Sequence, residues 1–201
     1  MSSVVIAGDT SGSITLNAPN VAGTTVLTLP TTSGNVLTSA SSIANNQLSA
    51  GHVLQVVQTV KTDIASVSGT FSSDILSLSI TPSSTSNKIL LLCSMSFGTD
   101  ASANYDVIFA FYRNGSKITG ASGNSAGVRV TGAFSGAHRE QYEMNNGSAF
   151  YLDSPASTSS QTYTIRVRCG GTIGINRAIY DADETGTERG ISSLIAMEVS
   201  G

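Results

Sequence analysis

Apolar and hydroxyl-bearing residues alternate through much of this chain. Leu76, Leu78 and Ile80 alternate with Ser77 and Ser79, and Leu91, Cys93, Met95 and Phe97 alternate with Ser94 and Ser96. Period two predicts β-strands with one face on a core and the other on water. VLQVVQTVKT from Val53, DILSLSI from Asp74 and KILLLCSMSF from Lys88 each hold a short run of Val, Ile or Leu bounded by turn residues. Each therefore predicts a strand. In YDVIFAFYRNGSKI, Asn114-Gly115 separates two such runs, and both residues tolerate positive φ, so a hairpin is expected there. Residues 120–136 are rich in Gly, Ser and Ala and predict a loop, broken by a short strand at Val128-Arg129-Val130. Strands are expected again over Tyr142–Leu152, over YTIRVRC with Tyr163, Ile165, Val167 and Cys169 on one side, and over the closing SLIAMEV. About eight strands at short spacing with no helical period predict an all-β, jelly-roll-like antiparallel sandwich over residues 51–201.

The first fifty residues differ. They contain one charge, Asp9; the next is Lys61, and the first aromatic ring is Phe71. Ser13–Ala18, Thr24–Pro30 and Gly34–Thr38 predict short strands set off by Gly12, Pro19, Gly23, Pro30 and Gly34. A short helical turn is expected through Ile43 and Leu48 in the polar linker that follows. Ile14, Leu16, Val26, Leu27, Leu29 and Val36 form a thin apolar stripe with no bulky side chain to close a core. Such a stripe needs a partner surface, either copies of itself around a threefold axis or another protein along which it lies. Residues 1–50 are thus expected to be an anchor or arm, with the boundary near residue 50.

Composition explains how so uncharged a chain dissolves. Charged residues are only 11% of the 201, against roughly 25% in ordinary soluble domains. The 33 Ser and 22 Thr supply polarity instead. Net charge is −3 and the isoelectric point about 5.2, which offers no basic stripe for nucleic acid. No apolar run approaches membrane-spanning length, and MSSVVIAGDTSG lacks the basic and apolar regions of a secretory signal. Folding in a cytosol is expected, with Cys93 and Cys169 as buried free thiols rather than a disulfide.

Candidate chemistry is thin. GNSAG at 123–127 fits a hydrolase nucleophile pattern, which works only on a strand-to-helix elbow that the sequence does not predict. His52 and His138 have no carboxylate at ligand spacing. In DADETGTERG, Asp181, Asp183 and Thr185 alternate and Gly186 is sixth, as in a calcium loop, but the twelfth position is Ser192 rather than a bidentate Glu. A solvated acidic loop is expected, with no catalytic residue, metal or cofactor. Asp181, Asp183 and Glu184 form one local cluster, whereas a depolymerase needs carboxylates paired across a groove.

SITPSSTSNKILLL (79–92), YLDSPASTSSQTYTIRVR (151–168) and RGISSLIAMEV (189–199) resemble a domain at the C-terminus of tail-fibre and other virion proteins of tailed bacteriophages, notably of marine and cyanobacterial hosts. The leader GDTSGSITLNAPNVAGTTVLTLPTTSGNVLTS resembles an anchor segment that precedes such domains. The resemblance implies a β-rich, trimeric, non-enzymatic virion component. A fibre or spike is expected, joined to other virion proteins through residues 1–50 and contacting a host glycan or protein with Tyr105, Tyr112, Arg113 and Asn114. Tyr112 lies next to alternating core positions, so packing inside the sandwich is the equal alternative for it. The alternatives are a capsid decoration protein and, from a different class, a polysaccharide depolymerase.

Overall fold

The computed structural model describes residues 3–7, 10–17, 31, 48–71, 73–99, 107–136, 142–181 and 188–201. The chain divides into two compact units, Met1–Ser42 and Ile43–Gly201, so the division falls a few residues before the expected boundary.

In the first unit, β1 (Ser3–Ala7) pairs antiparallel with β2 (Ser13–Asn17). Gly12, at φ 79°, supplies the left-handed residue at the end of the connection. Register sets Ile14 opposite Ile6 and Leu16 opposite Val4. The strand at Ser13 is as expected, and β1 was not. Val26, Leu27, Leu29, Val36, the two further expected strands and the residues of the expected helical turn before Leu48 lie outside the described residues.

The second unit is all β, and its one helical element among the described residues is a single 3-10 turn at Thr119–Ala121. Its strands are β3 (Val53–Lys61), β4 (Ala65–Thr70), β5 (Leu76–Ile80), β6 (Lys88–Thr99), β7 (Val107–Arg113), β8 (Ser116–Lys117), β9 (Phe134–Gly136), β10 (Asn145–Asp153), β11 (Gln161–Ile175) and β12 (Ser192–Val199). All pairings are antiparallel. One layer runs β3-β12-β6-β10; in the other, β11 lies between β7 and the successive strands β4 and β5, while β8 and β9 extend β7. The end of β11, Ile173–Ile175, pairs with Phe97–Thr99 of β6 and joins the layers.

The alternation explains the core. Leu76, Leu78 and Ile80 face inward, as do Leu91, Cys93, Met95, Phe97, Tyr163, Ile165 and Val167, and the intervening serines do not all share that burial. Phe97 of one layer meets Phe109 of the other at 4.9 Å between ring centres. Each such aliphatic side chain withdrawn from water stabilises the fold by about 1.5–3 kcal/mol before entropy is counted.

Asn114 and Gly115 turn the β7-β8 hairpin with φ of 49° and 80°, as expected. Three details differ from the sequence expectation. Val128–Val130 is irregular, with Val128 fully exposed, because no neighbouring strand edge pairs with it. The strand expected from Tyr142 begins at Asn145, and β11 runs six residues beyond Cys169, through a bulge that absorbs Gly170-Gly171. β4 and β9 form where the sequence shows no alternation.

Candidate functional site

The register gives the sandwich two distinct ends. Val53 pairs with Val199, and Gly51 and Ser200 exchange backbone bonds with their neighbours (Gly51 N–H to Ser200 O, 2.9 Å; Ser200 N–H to His52 O, 3.0 Å). The chain therefore enters the sandwich and ends at the same pole. Lys61, Ser192, Thr99 and Ile175 stand at the other pole.

The entry pole is built from fixed polar contacts. Asp153 of β10 accepts from the Arg113 guanidinium at 2.6 Å and from the Tyr163 hydroxyl at 2.7 Å, tying one layer to the other. Burial, with the hydrogen bond and charge of Asp153, pushes the Tyr163 hydroxyl far above its ordinary pKa. Asn114 is exposed, but its side chain closes the turn: its Nδ2 donates to Gln161 Oε1 and its Oδ1 accepts from the Thr162 N–H, both at 2.9 Å. Tyr112 is 8% exposed and sits under the Arg166 guanidinium at 4.5 Å and beside Phe71 at 5.9 Å.

These positions correct the expected contact surface. Tyr112 is covered, because it faces outward from β7 beneath Phe71 and Arg166, and Arg113 is engaged with Asp153. Tyr105 lies outside the described residues.

At the far pole, Asn176, fully buried at φ 60°, organises the connections. Its Nδ2 donates to the carbonyls of Lys61 and Asp63, and its Oδ1 accepts from Ser192 Oγ at 2.7 Å. The chain after it passes so close to Gly98 that a Cβ there would lie 2.6 Å from the Arg177 carbonyl. Asp181 then stands between Arg189 at 2.7 Å and Arg177 at 3.8 Å, so its charge is already balanced by two guanidinium groups. Asp183, Thr185 and Gly186 of the candidate calcium loop, and Glu184 of the acidic cluster, lie outside the described residues. Tyr142 and Tyr180 meet edge to face at 4.9 Å, and both remain nearly half exposed. Sequence reasoning missed this pair, since 38 residues separate its members and neither lies in a periodic run.

Groups with catalytic potential are dispersed. Ser125 lies in an irregular loop, His52 Nδ1 contacts the Ser49 carbonyl at 2.8 Å, and His138 lies outside the described residues. Cys93 and Cys169 are free and buried, and burial pushes the Cys93 thiol up to about 12. Among the described residues no three His, Cys, Asp or Glu side chains group to hold a metal ion, and no helix is long and apolar enough to cross a membrane. An open groove of about 420 Å³ on the outer face of β7 is bordered by Ile108, Val128, Arg129 and Arg168. Neither the protein-family models nor the curated proteins compared with this chain match it.

Proposed function

We propose that the chain is a non-enzymatic structural protein of a tailed-bacteriophage particle, a homotrimeric fibre or spike. Residues 1–50 join it to other virion proteins, and the sandwich is a knob that contacts the host. The observation that carries this reading is polar: the chain enters and leaves the sandwich at one end, while Tyr142, Tyr180, Ile191 and Arg189 are exposed at the other. Exposed tyrosine rings suit stacking on sugar rings, and their hydroxyls suit bonding to sugar hydroxyls. The two interleaved four-strand sets, β3-β12-β6-β10 and β5-β11-β7-β9, support a jelly-roll reading of the knob.

A capsid decoration protein is the second reading, favoured by the small mass of 20.6 kDa. Copy number separates the two. Quantitative electrophoresis of purified particles against the major capsid protein should find a few copies per particle for a fibre; stoichiometry close to that of the shell subunit would decide for decoration, and absence from particles would overturn both. For the contact pole, Tyr142→Ala with Tyr180→Ala should lower binding of the labelled protein to host cells at least tenfold. Unchanged binding would remove that pole from the account.

A further inference from the structure

The outward side of the layer β3-β12-β6-β10 carries an apolar band next to the entry pole, whereas Ser148, Ser94 and Ser193 align across it toward the far pole. Register aligns its side chains in rows across the four strands. One row is Leu152, Leu90, Met197 and Val56. The next is Phe150, Leu92, Ile195 and Gln58. Their sequence neighbours Leu91, Cys93, Leu194 and Ala196 face the core and are at most 2% exposed, so the rows must face away from it. Phe150 is 69% exposed, Val56 55% and Leu152 45%. Lys88, at the rim, is the one charged residue among the outward positions of these strands.

The sequence carries the same signal. Ile89–Leu92, Ala149–Leu152 and Leu194–Met197 are unbroken apolar runs on three adjacent strands, the pattern of strands covered on both faces rather than one. Among the described residues the core covers only one of those faces.

We propose that this face is a self-association interface through which copies of the chain pack together. This deepens the homotrimeric reading and rests on it, placing a seam on the knob in addition to the apolar stripe of the first fifty residues. Two features point to a second copy rather than a different partner. With no charge inside the rim, copies of this face turned toward a common threefold axis meet without like-charge repulsion and offer nothing for a partner of opposite charge to complement. Interfaces between identical subunits are also the more apolar kind, with charged residues depleted at their centre.

The size is adequate. With strands about 4.8 Å apart and same-face residues about 6.8 Å apart, four strands by four rows project about 500 Å²: the two apolar rows in the middle, flanked by Lys88 and Val199 on one side and by Ser148, Ser94, Ser193 and Val60 on the other. Side chains standing off the sheet raise the accessible area toward the roughly 800 Å² per partner of a stable interface.

Sedimentation equilibrium of the full chain tests this, using Phe150→Asp and Val56→Asp on the face and Ser77→Asp on the opposite layer as control. Phe150 and Val56 are exposed in the single chain, so circular dichroism should show unchanged folding in both variants. The wild type and the control should sediment as a multiple of 20.6 kDa. Each face variant should raise the concentration for half-dissociation about a hundredfold or more, because a buried carboxylate would have no partner. A wild type that stays at the single-chain mass, as it would if its own residues 18–47 or another protein covered the face, overturns the proposal. So do face variants that associate as tightly as wild type. Neither result bears on whether the chain is found in particles, which tests the virion reading separately.

Discussion

Glu198 is 1% exposed at the entry pole, with no cation among its hydrogen-bond partners. Its Oε1 accepts from the Ser83 N–H and Asn87 Nδ2, both at 2.6 Å, and from Ser83 Oγ at 2.8 Å, while its Oε2 accepts from Gln55 Nε2 at 2.6 Å. One carboxylate therefore fastens the β5-β6 connection to β12 and β3. In Glu198→Ala, Gln55 keeps the Thr81 carbonyl at 2.7 Å and Asn87 keeps Ser83 Oγ at 3.1 Å. The Ser83 N–H has no such substitute. At about 1.5–3 kcal/mol for a hydrogen bond to a charged group, and a further cost for the orphaned donor, the loss should be about 3 kcal/mol. For a domain of this size that lowers Tm by about 6–12 °C, measurable by calorimetry at pH 7. A fall below about 2 °C would refute the clasp.

The same group makes a pH prediction. Burial would raise the Glu198 pKa, but the hydrogen bonds from Asn87, Gln55 and Ser83 outweigh it and hold the pKa below its ordinary value. A depressed folded pKa means that the stabilisation is complete above the unfolded value of about 4.3 and is lost as pH falls through the lower folded value. The Tm difference between wild type and Glu198→Gln should therefore shrink between pH 5 and pH 3, and a difference independent of pH would contradict this.

Two further outcomes follow from other parts of the sandwich. Gly98→Ala would bring a Cβ within 2.6 Å of the Arg177 carbonyl and the Ile179 nitrogen, so a loss of about 1–3 kcal/mol is expected in chemical denaturation, and unaltered stability would show that the far-pole chain yields freely. Burial raises both thiols, Cys93 to about 12, so Ellman's reagent at pH 8 should label neither until denaturant is added; rapid labelling of the native chain would contradict the packing.

Much of the sandwich was legible because alternation and burial coincide. Leu76–Ile80 and Leu91–Phe97 announced their inward faces, and Asn114-Gly115 its turn. Ala65–Thr70 was not legible: its Ala, Ser, Gly and Thr have little apolar content, and the open edge of β11 draws it into the sheet. Val128-Arg129-Val130 has the right composition but no edge to pair with. The outward apolar face was present in the sequence as the run Ile89–Leu92, but the alternation of the next residues led to one wet face being expected for the whole strand. Tyr112 could be read from the sequence either as a contact or as packed, and the fold lays Phe71 and Arg166 over it.

Hydroxyl-radical footprinting of the full chain tests the central claim, that this molecule works by assembling, at the side chains themselves. Met197 and Phe150 should resist oxidation in concentrated solution and become reactive on dilution, while buried Met95 stays protected throughout. Equal oxidation of Met197 and Phe150 at every concentration would contradict it.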